Sequence, residues 1–295
     1  MGTLDGRIAI ITGAGRGLGR EHALLFAAEG AKVVVNDLGG DIGGEGTDAT
    51  PAQETVQMIK DMGGEAIVNG DDVSDWEGAQ RLVNQAVETF GGLDVLVNNA
   101  GILRDRVLVN MTDAEWDAVI KVHLRGHFCP TRHAANYWRA ESKEGRTREA
   151  RVVNTASESG LFGNPGQANY AAAKLGICAF SSVISKELTR YGVKSNTIAP
   201  RARTRLTEAT PGLGDIVKQE VAEGTFDVWD PANVSPFVAY LGTAECQFNG
   251  EVFFVWSDEV QRVQQPTLVD GAKISGGGER LTVSGIIDNA KSLEG

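Results

Sequence analysis

At 295 residues, with 42% hydrophobic and 23% charged side chains, the chain has an ordinary globular composition and can bury a sizeable core. Its net charge of -11 argues against nucleic acid or an anionic membrane as the main partner, because phosphate binding needs a basic patch. Cys129, Cys178 and Cys246 stand in no metal-ligand spacing and read as buried thiols of a reducing, cytoplasmic setting. No secretory leader is expected, and no apolar run reaches the ~18 residues of a membrane helix.

Short β-branched runs recur at residues 8–12, 32–36, 66–69, 94–97, 151–155, 195–198 and 251–256. Longer segments of helical periodicity lie between most of them, clearest in the stripe Ile177, Phe180, Ile184 and Leu188. Strands alternating with helices imply right-handed crossovers and a parallel sheet covered on both faces. The expected fold class is α/β, a doubly wound parallel sheet in one domain over residues 1–256. Three stretches depart from regularity: a Gly- and Asp-rich loop at 38–51, a mobile helical flap at 204–225, and an extension at 257–295.

The first strand runs into Thr12-Gly13-Ala14-Gly15-Arg16-Gly17-Leu18-Gly19, which opens a helix. Glycines at Gly13, Gly17 and Gly19 tighten the turn and admit a pyrophosphate to the backbone, where the helix N-terminus offers N–H groups and a positive dipole end. Asp37 ends the second strand, 18 residues after Gly19. A carboxylate there accepts the adenosine ribose hydroxyls and repels a 2′-phosphate, which favours NAD over NADP. Arg16 pulls the other way, and Asp37 also reads as a turn cap.

Tyr170 and Lys174 lie one helical turn apart and project from one face. A neighbouring ammonium and a positive nicotinamide are expected to lower the phenol's pKa from ~10, so that Tyr170 takes the proton of an alcohol. Ser157, at the end of the fifth strand, is placed to hydrogen-bond the substrate oxygen.

With a glycine turn, an acid after strand two, Asn98-Asn99-Ala100-Gly101 after strand four and Ser157, Tyr170 and Lys174 at matching strand ends, residues 5–256 resemble the short-chain dehydrogenase/reductase family, a Rossmann-type fold. The family's T-G-x-x-x-G-x-G turn matches Thr12, Gly13, Gly17 and Gly19. Its Ser–Tyr–Lys triad maps onto Ser157, Tyr170 and Lys174, and the resemblance implies that Lys174 also binds the nicotinamide ribose. It further implies that Asn99, Ala100 and Gly101 line the cofactor site and that Asp72-Val73 contacts adenine. Two positions depart from the pattern. His123 stands where the family's fourth catalytic residue is an asparagine, and can hold a relay water or pack as a structural residue. Pro200-Arg201 replaces Pro-Gly on the nicotinamide side.

Residues 35–41, 101–106, 122–126 and 166–170 are further similar to the dehydrogenase domain of peroxisomal multifunctional enzymes of type 2. That resemblance implies oxidation of a 3-hydroxyacyl-CoA to the 3-oxo thioester. The alternatives are a 17β-hydroxysteroid dehydrogenase on free sterol alcohols, or a non-catalytic NAD-binding sensor or scaffold. Arg201, Arg203 and Arg205 either bind CoA phosphates or pair with acids such as Asp215 and Glu208. The resemblance also implies a homodimer or homotetramer, for which Ala171, Ala172, Ala173 and Gly176 permit close helix approach.

Overall fold

The segment Ile8–Thr12 is buried along its whole length and rich in branched side chains, as suits a strand covered by helices on both faces. The computed structural model describes residues 2–209, 214–218, 221–222 and 224–293. In it this segment forms β1 of an eight-stranded sheet ordered β3-β2-β1-β4-β5-β6-β7-β8. The other strands are β2 (Lys32–Asn36), β3 (Glu65–Asn69), β4 (Val95–Asn98), β5 (Ala150–Thr155), β6 (Val193–Arg201), β7 (Val252–Trp256) and β8 (Glu259–Arg262). β1 to β7 pair in parallel, as expected. β8 was not expected: it returns antiparallel on β7, two residues beyond the last sequence-predicted strand. The expected extension from residue 257 thus begins with a strand of the sheet.

The helices are α1 (Gly17–Ala28), α2 (Thr50–Asp61), α3 (Trp76–Phe90), α4 (Asp113–Ile120), α5 (Gly126–Lys143), α6 (Glu158–Phe162), α7 (Ala168–Leu188), α8 (Arg205–Ala209), α9 (Gly214–Val217), α10 (Ser235–Gly242) and α11 (Val283–Asn289). Alternation along β1 sends its side chains into two cores. Ala9 and Ile11 pack with Phe26, Ile59 and Leu241. Ile8 and Ile10 pack with Leu82, Trp138 and Ile184 on the opposite face. The loop expected over 38–51 stops at Ala49, because Pro51 fits the first turn of α2, where no N–H is needed. Of the expected flap 204–225, the described residues form α8 and α9; residues 210–213, 219–220 and 223 lie outside the described residues. The sheet and its helices belong to the unit Met1–Val263, and Gln264–Gly295 is a second small unit that contains α11.

Strand order reverses between β1 and β4, which opens a crevice at the carboxyl ends of the strands. Thr12 closes its floor. The buried Thr12 hydroxyl accepts the N–H groups of Asn99 at 2.9 Å and Ala100 at 3.1 Å. The Asn99 amide returns to the carbonyls of Thr12 at 3.0 Å and Gly13 at 3.3 Å. Thr12→Val keeps the shape and leaves two N–H groups without their acceptor, which should cost about 1–3 kcal/mol. Urea unfolding should show a lower midpoint at an unchanged slope.

Candidate active site

The turn from β1 into α1 is compact because its glycines nest. A Cβ on Gly19 would meet the Gly13 carbonyl oxygen at 2.1 Å, so only glycine fits there. No side chain caps α1, and its first turn holds no acid. Its free N–H groups and dipole therefore face the crevice unanswered, an arrangement suited to a phosphate. Asp37 stands across this turn. One carboxylate oxygen accepts Gly15 N–H at 2.8 Å and the other accepts Gly39 N–H at 2.7 Å. Asp37 is thus a turn brace, and it also lines the crevice with lone pairs to spare for ribose hydroxyls. These features fit a dinucleotide.

Every residue singled out from the sequence for cofactor binding or chemistry lines one crevice of ≈ 410 Å³. Gly13, Arg16, Gly17, Leu18, Gly19, Asp37, Asp72 and Val73 lie along it with Asn99, Ala100, Gly101, Ser157, Tyr170, Lys174, Pro200 and His123. That volume is within the usual range of small-molecule sites. Among the described residues no group of acids, histidines and cysteines is placed to hold a metal ion. No helix among them is long and apolar enough to cross a membrane.

Tyr170 sits in the first turn of α7, which Asn169 anchors. Its amide donates to the carbonyls of Arg104 at 3.0 Å and Glu115 at 3.1 Å. Ser157 caps α6, accepting Ser159 N–H at 3.2 Å, and also hydrogen-bonds the Tyr170 phenol. Lys174 is buried, donates to the Thr155 carbonyl at 2.6 Å, and lies 5.4 Å from the centroid of the Tyr170 ring.

Burial sets the electrostatics of the protein's own groups. Burial pushes the phenol up to about 12, and the hydrogen bond from Ser157 opposes this only in part. Lys174 does not bring it down, because its ammonium is directed at Thr155 over the ring face and burial draws its own pKa down to about 7.

His123 lies in a π-helical turn, Lys121–Arg125, between α4 and α5. Such turns often mark functional positions. Its Nε2 is 3.0 Å from Ile102 N and 2.8 Å from Ile102 O, accepting from the first or donating to the second according to tautomer. Its ring stands edge-on to Tyr170 at 5.1 Å, and a Cβ on Gly101 would strike it at 2.4 Å. Burial holds the imidazole well below its ordinary pKa, so it is neutral. Nδ1 is buried with no hydrogen-bond partner among the described residues.

Two of the three clustered arginines are internally paired, though not with Asp215 or Glu208. Arg201 pairs with Glu158, and Arg203 pairs with Asp227 at 2.8 Å. Arg205 lies near Arg16, Asp37 and Asp41. Sequence reasoning missed Glu158, and missed Thr155 as the acceptor for Lys174. It also missed the strap that the loop after β2 makes over the crevice, where Arg104 bonds Gly43 O at 2.8 Å and Glu45 at 2.9 Å. The signals available were an acid directly after Ser157 and a loop too long for a simple connection.

Residues 7–212 match the family model for the short chain dehydrogenase. The chain belongs to the short-chain dehydrogenase family. As a member it is an oxidoreductase acting on CH–OH groups. Relatives in the family include the hydroxyacyl-CoA dehydrogenase ChsB1 of Mycobacterium tuberculosis, 46% identical over 89% of this chain and 81% of that protein. The peroxisomal multifunctional enzyme type 2 of Mus musculus is 39% identical over 98% of this chain, which spans 37% of that enzyme. A short chain dehydrogenase from Mycobacterium avium has a similar solved structure, with TM-score 0.86 and 45% identity over 99% of this chain and 96% of that one.

Burial of Lys174 has a consequence for stability. Its pKa falls from 10.5 on unfolding to about 7 in the fold, so between those values the unfolded chain binds more protons. The cost is fully present below about pH 7 and disappears as pH rises past the unfolded value. Lys174→Met should abolish turnover, while its melting temperature relative to wild type is most favourable at pH 6 and declines toward pH 10. Calorimetry across that range tests this.

Proposed function

We propose that the protein interconverts a 3-hydroxyacyl-CoA and a 3-oxoacyl-CoA with NAD as its cofactor. The meeting of Ser157, Tyr170 and Lys174 at the mouth of a glycine-turn crevice carries the chemistry. Two relatives named above as a hydroxyacyl-CoA dehydrogenase and a multifunctional enzyme support the substrate class. When bound, a nicotinamide supplies a hydride acceptor in oxidation and a donor in reduction.

The protein's own residues handle the oxygen. Ser157 orients the substrate hydroxyl with a hydrogen bond that strengthens as charge develops. Tyr170 exchanges the proton with that oxygen: its raised pKa keeps the phenol protonated for reduction, and oxidation requires a nearby positive charge to favour its phenolate. Lys174 holds the ribose side and the floor of the site through Thr155 O. Neutral His123, with Nδ1 unanswered, suits a water that passes protons behind Tyr170. Pro200 lines the nicotinamide side, and Asp72 and Val73 the adenine side.

Tyr170→Phe should lower kcat at least about a hundredfold, as expected for loss of a general acid–base. NADH affinity, followed by protein fluorescence, should stay within a factor of about three. A sensor that binds NAD without turnover would show no such loss.

Asp37 supports NAD because a carboxylate repels a 2′-phosphate. Since it also braces Gly15 and Gly39, Asp37→Ser should raise KM for NAD about tenfold or more while the NADP/NAD ratio of kcat/KM rises. Initial rates with both cofactors give the answer.

We further propose a homo-oligomer assembled through α5 and α7, which keep Phe128, Leu175 and Val183 exposed. Three free cysteines suit a reducing, cytoplasmic setting.

A further inference from the structure

Glu158 directly follows Ser157 past the end of β5, and Arg201 follows Pro200 as the last residue of β6. The two strands are neighbours, with Thr155 beside Ile198. Arg201 Nε donates to Glu158 Oε1 at 3.2 Å and Nη2 donates to Oε2, a bidentate fork. The guanidinium lies 5.3 Å from the ring centroids of both Phe254 and Trp256 on β7. Three side chains therefore fix its position. Both members of the pair line the crevice with Ser157 and Tyr170, at 31% and 29% side-chain exposure.

Such a pair costs desolvation and ordering, and at partial exposure it adds little to stability. Its charge is cancelled within the pair, which suits it poorly to an anion such as a CoA phosphate or a carboxylate. One capacity is left. Nη1 makes no hydrogen bond among the described residues, so the fork keeps a rigid donor for a neutral acceptor.

A 3-hydroxyacyl thioester carries its carbonyl two carbons from the carbinol carbon. Seating the hydroxyl on Ser157 and Tyr170 leaves that carbonyl two carbon–carbon bonds further along the crevice wall. Glu158, next in the chain after Ser157, and its partner Arg201 line that same crevice.

We propose that Arg201, held fixed and charge-neutralised by Glu158, reads the thioester carbonyl and sets specificity for 3-hydroxyacyl thioesters over plain secondary alcohols and over free 3-hydroxy acids. The inference rests on the thioester reading above and adds the residue that enforces it. Glu158 acts as a positioning residue: it orients the guanidinium and removes the charge that would otherwise draw a carboxylate.

Wild type, Arg201→Leu, Arg201→Gln and Glu158→Gln are compared on three alcohols with NAD. The alcohols are the N-acetylcysteamine thioester of 3-hydroxybutyrate, free 3-hydroxybutyrate and 2-pentanol, and a melting curve is taken for each variant. Arg201→Leu should lower kcat/KM for the thioester about 10–100-fold, the value of one charge-assisted hydrogen bond, and that for 2-pentanol less than about threefold. Arg201→Gln retains an amide donor and should recover part of the thioester rate. Glu158→Gln leaves the arginine charged and should raise the acid-to-thioester ratio of kcat/KM about tenfold. A wild type active on the thioester, with equal losses on thioester and 2-pentanol in Arg201→Leu, overturns this inference alone. An unchanged acid-to-thioester ratio in Glu158→Gln does the same, and that variant decides if Arg201→Leu fails to fold. A wild type that oxidises 2-pentanol and not the thioester overturns the parent reading and this inference with it.

Discussion

The hydroxyl of Thr12 holds together two strand ends that the chain reaches 87 residues apart. It takes the N–H groups of Asn99 and Ala100, while the Asn99 amide binds back to the carbonyls of Thr12 and Gly13. This reciprocal knot keeps β1 and β4 abreast at the point where strand order reverses. A crevice exists in any doubly wound sheet at that point. Its width depends on this local bonding, and the glycine turn and the Asn99–Gly101 segment are held as its two lips.

Desolvation governs the chemistry inside. The same burial moves the phenol of Tyr170 up, the ammonium of Lys174 down and the imidazole of His123 down. All three shifts favour the uncharged form, so the protein alone presents a nearly neutral cluster in a low-dielectric place. Charge brought in by a ligand acts there with little screening. The arrangement is costly for the fold, since a buried lysine and an imidazole nitrogen without a partner lower stability. Sites that store such costs are where stability and activity trade against each other.

Much of this was legible in the residues. Parallel strands buried on both faces read as continuous apolar runs, as in IAIIT and KVVVN, and seven of eight were found on that signal. β8 escaped because its four residues are all exposed and two are charged, so no burial pattern marks it. The lining residues were legible because glycine spacing and strand-end position are local properties. Contacts across the fold were not. Arg201 finds Glu158 43 positions away and Arg203 finds Asp227 24 away, where nearer acids had been the candidates. The burial of the pair was hidden for a similar reason: sequence shows the lysine four residues on, but not how completely the walls exclude water or that Thr155 accepts from the ammonium.

The modest β8 has a consequence of its own. β7, VFFVW, is an apolar β-branched and aromatic strand, and without a neighbour it would offer a row of unpaired amides to any other chain. The four exposed residues Glu259–Arg262 cover that row and replace a sticky border with a short, charged one. A hairpin too small to matter for the crevice thus serves as a guard against self-association through the sheet margin. Shortening the chain just past Trp256 would uncover the hydrogen-bonding edge of β7.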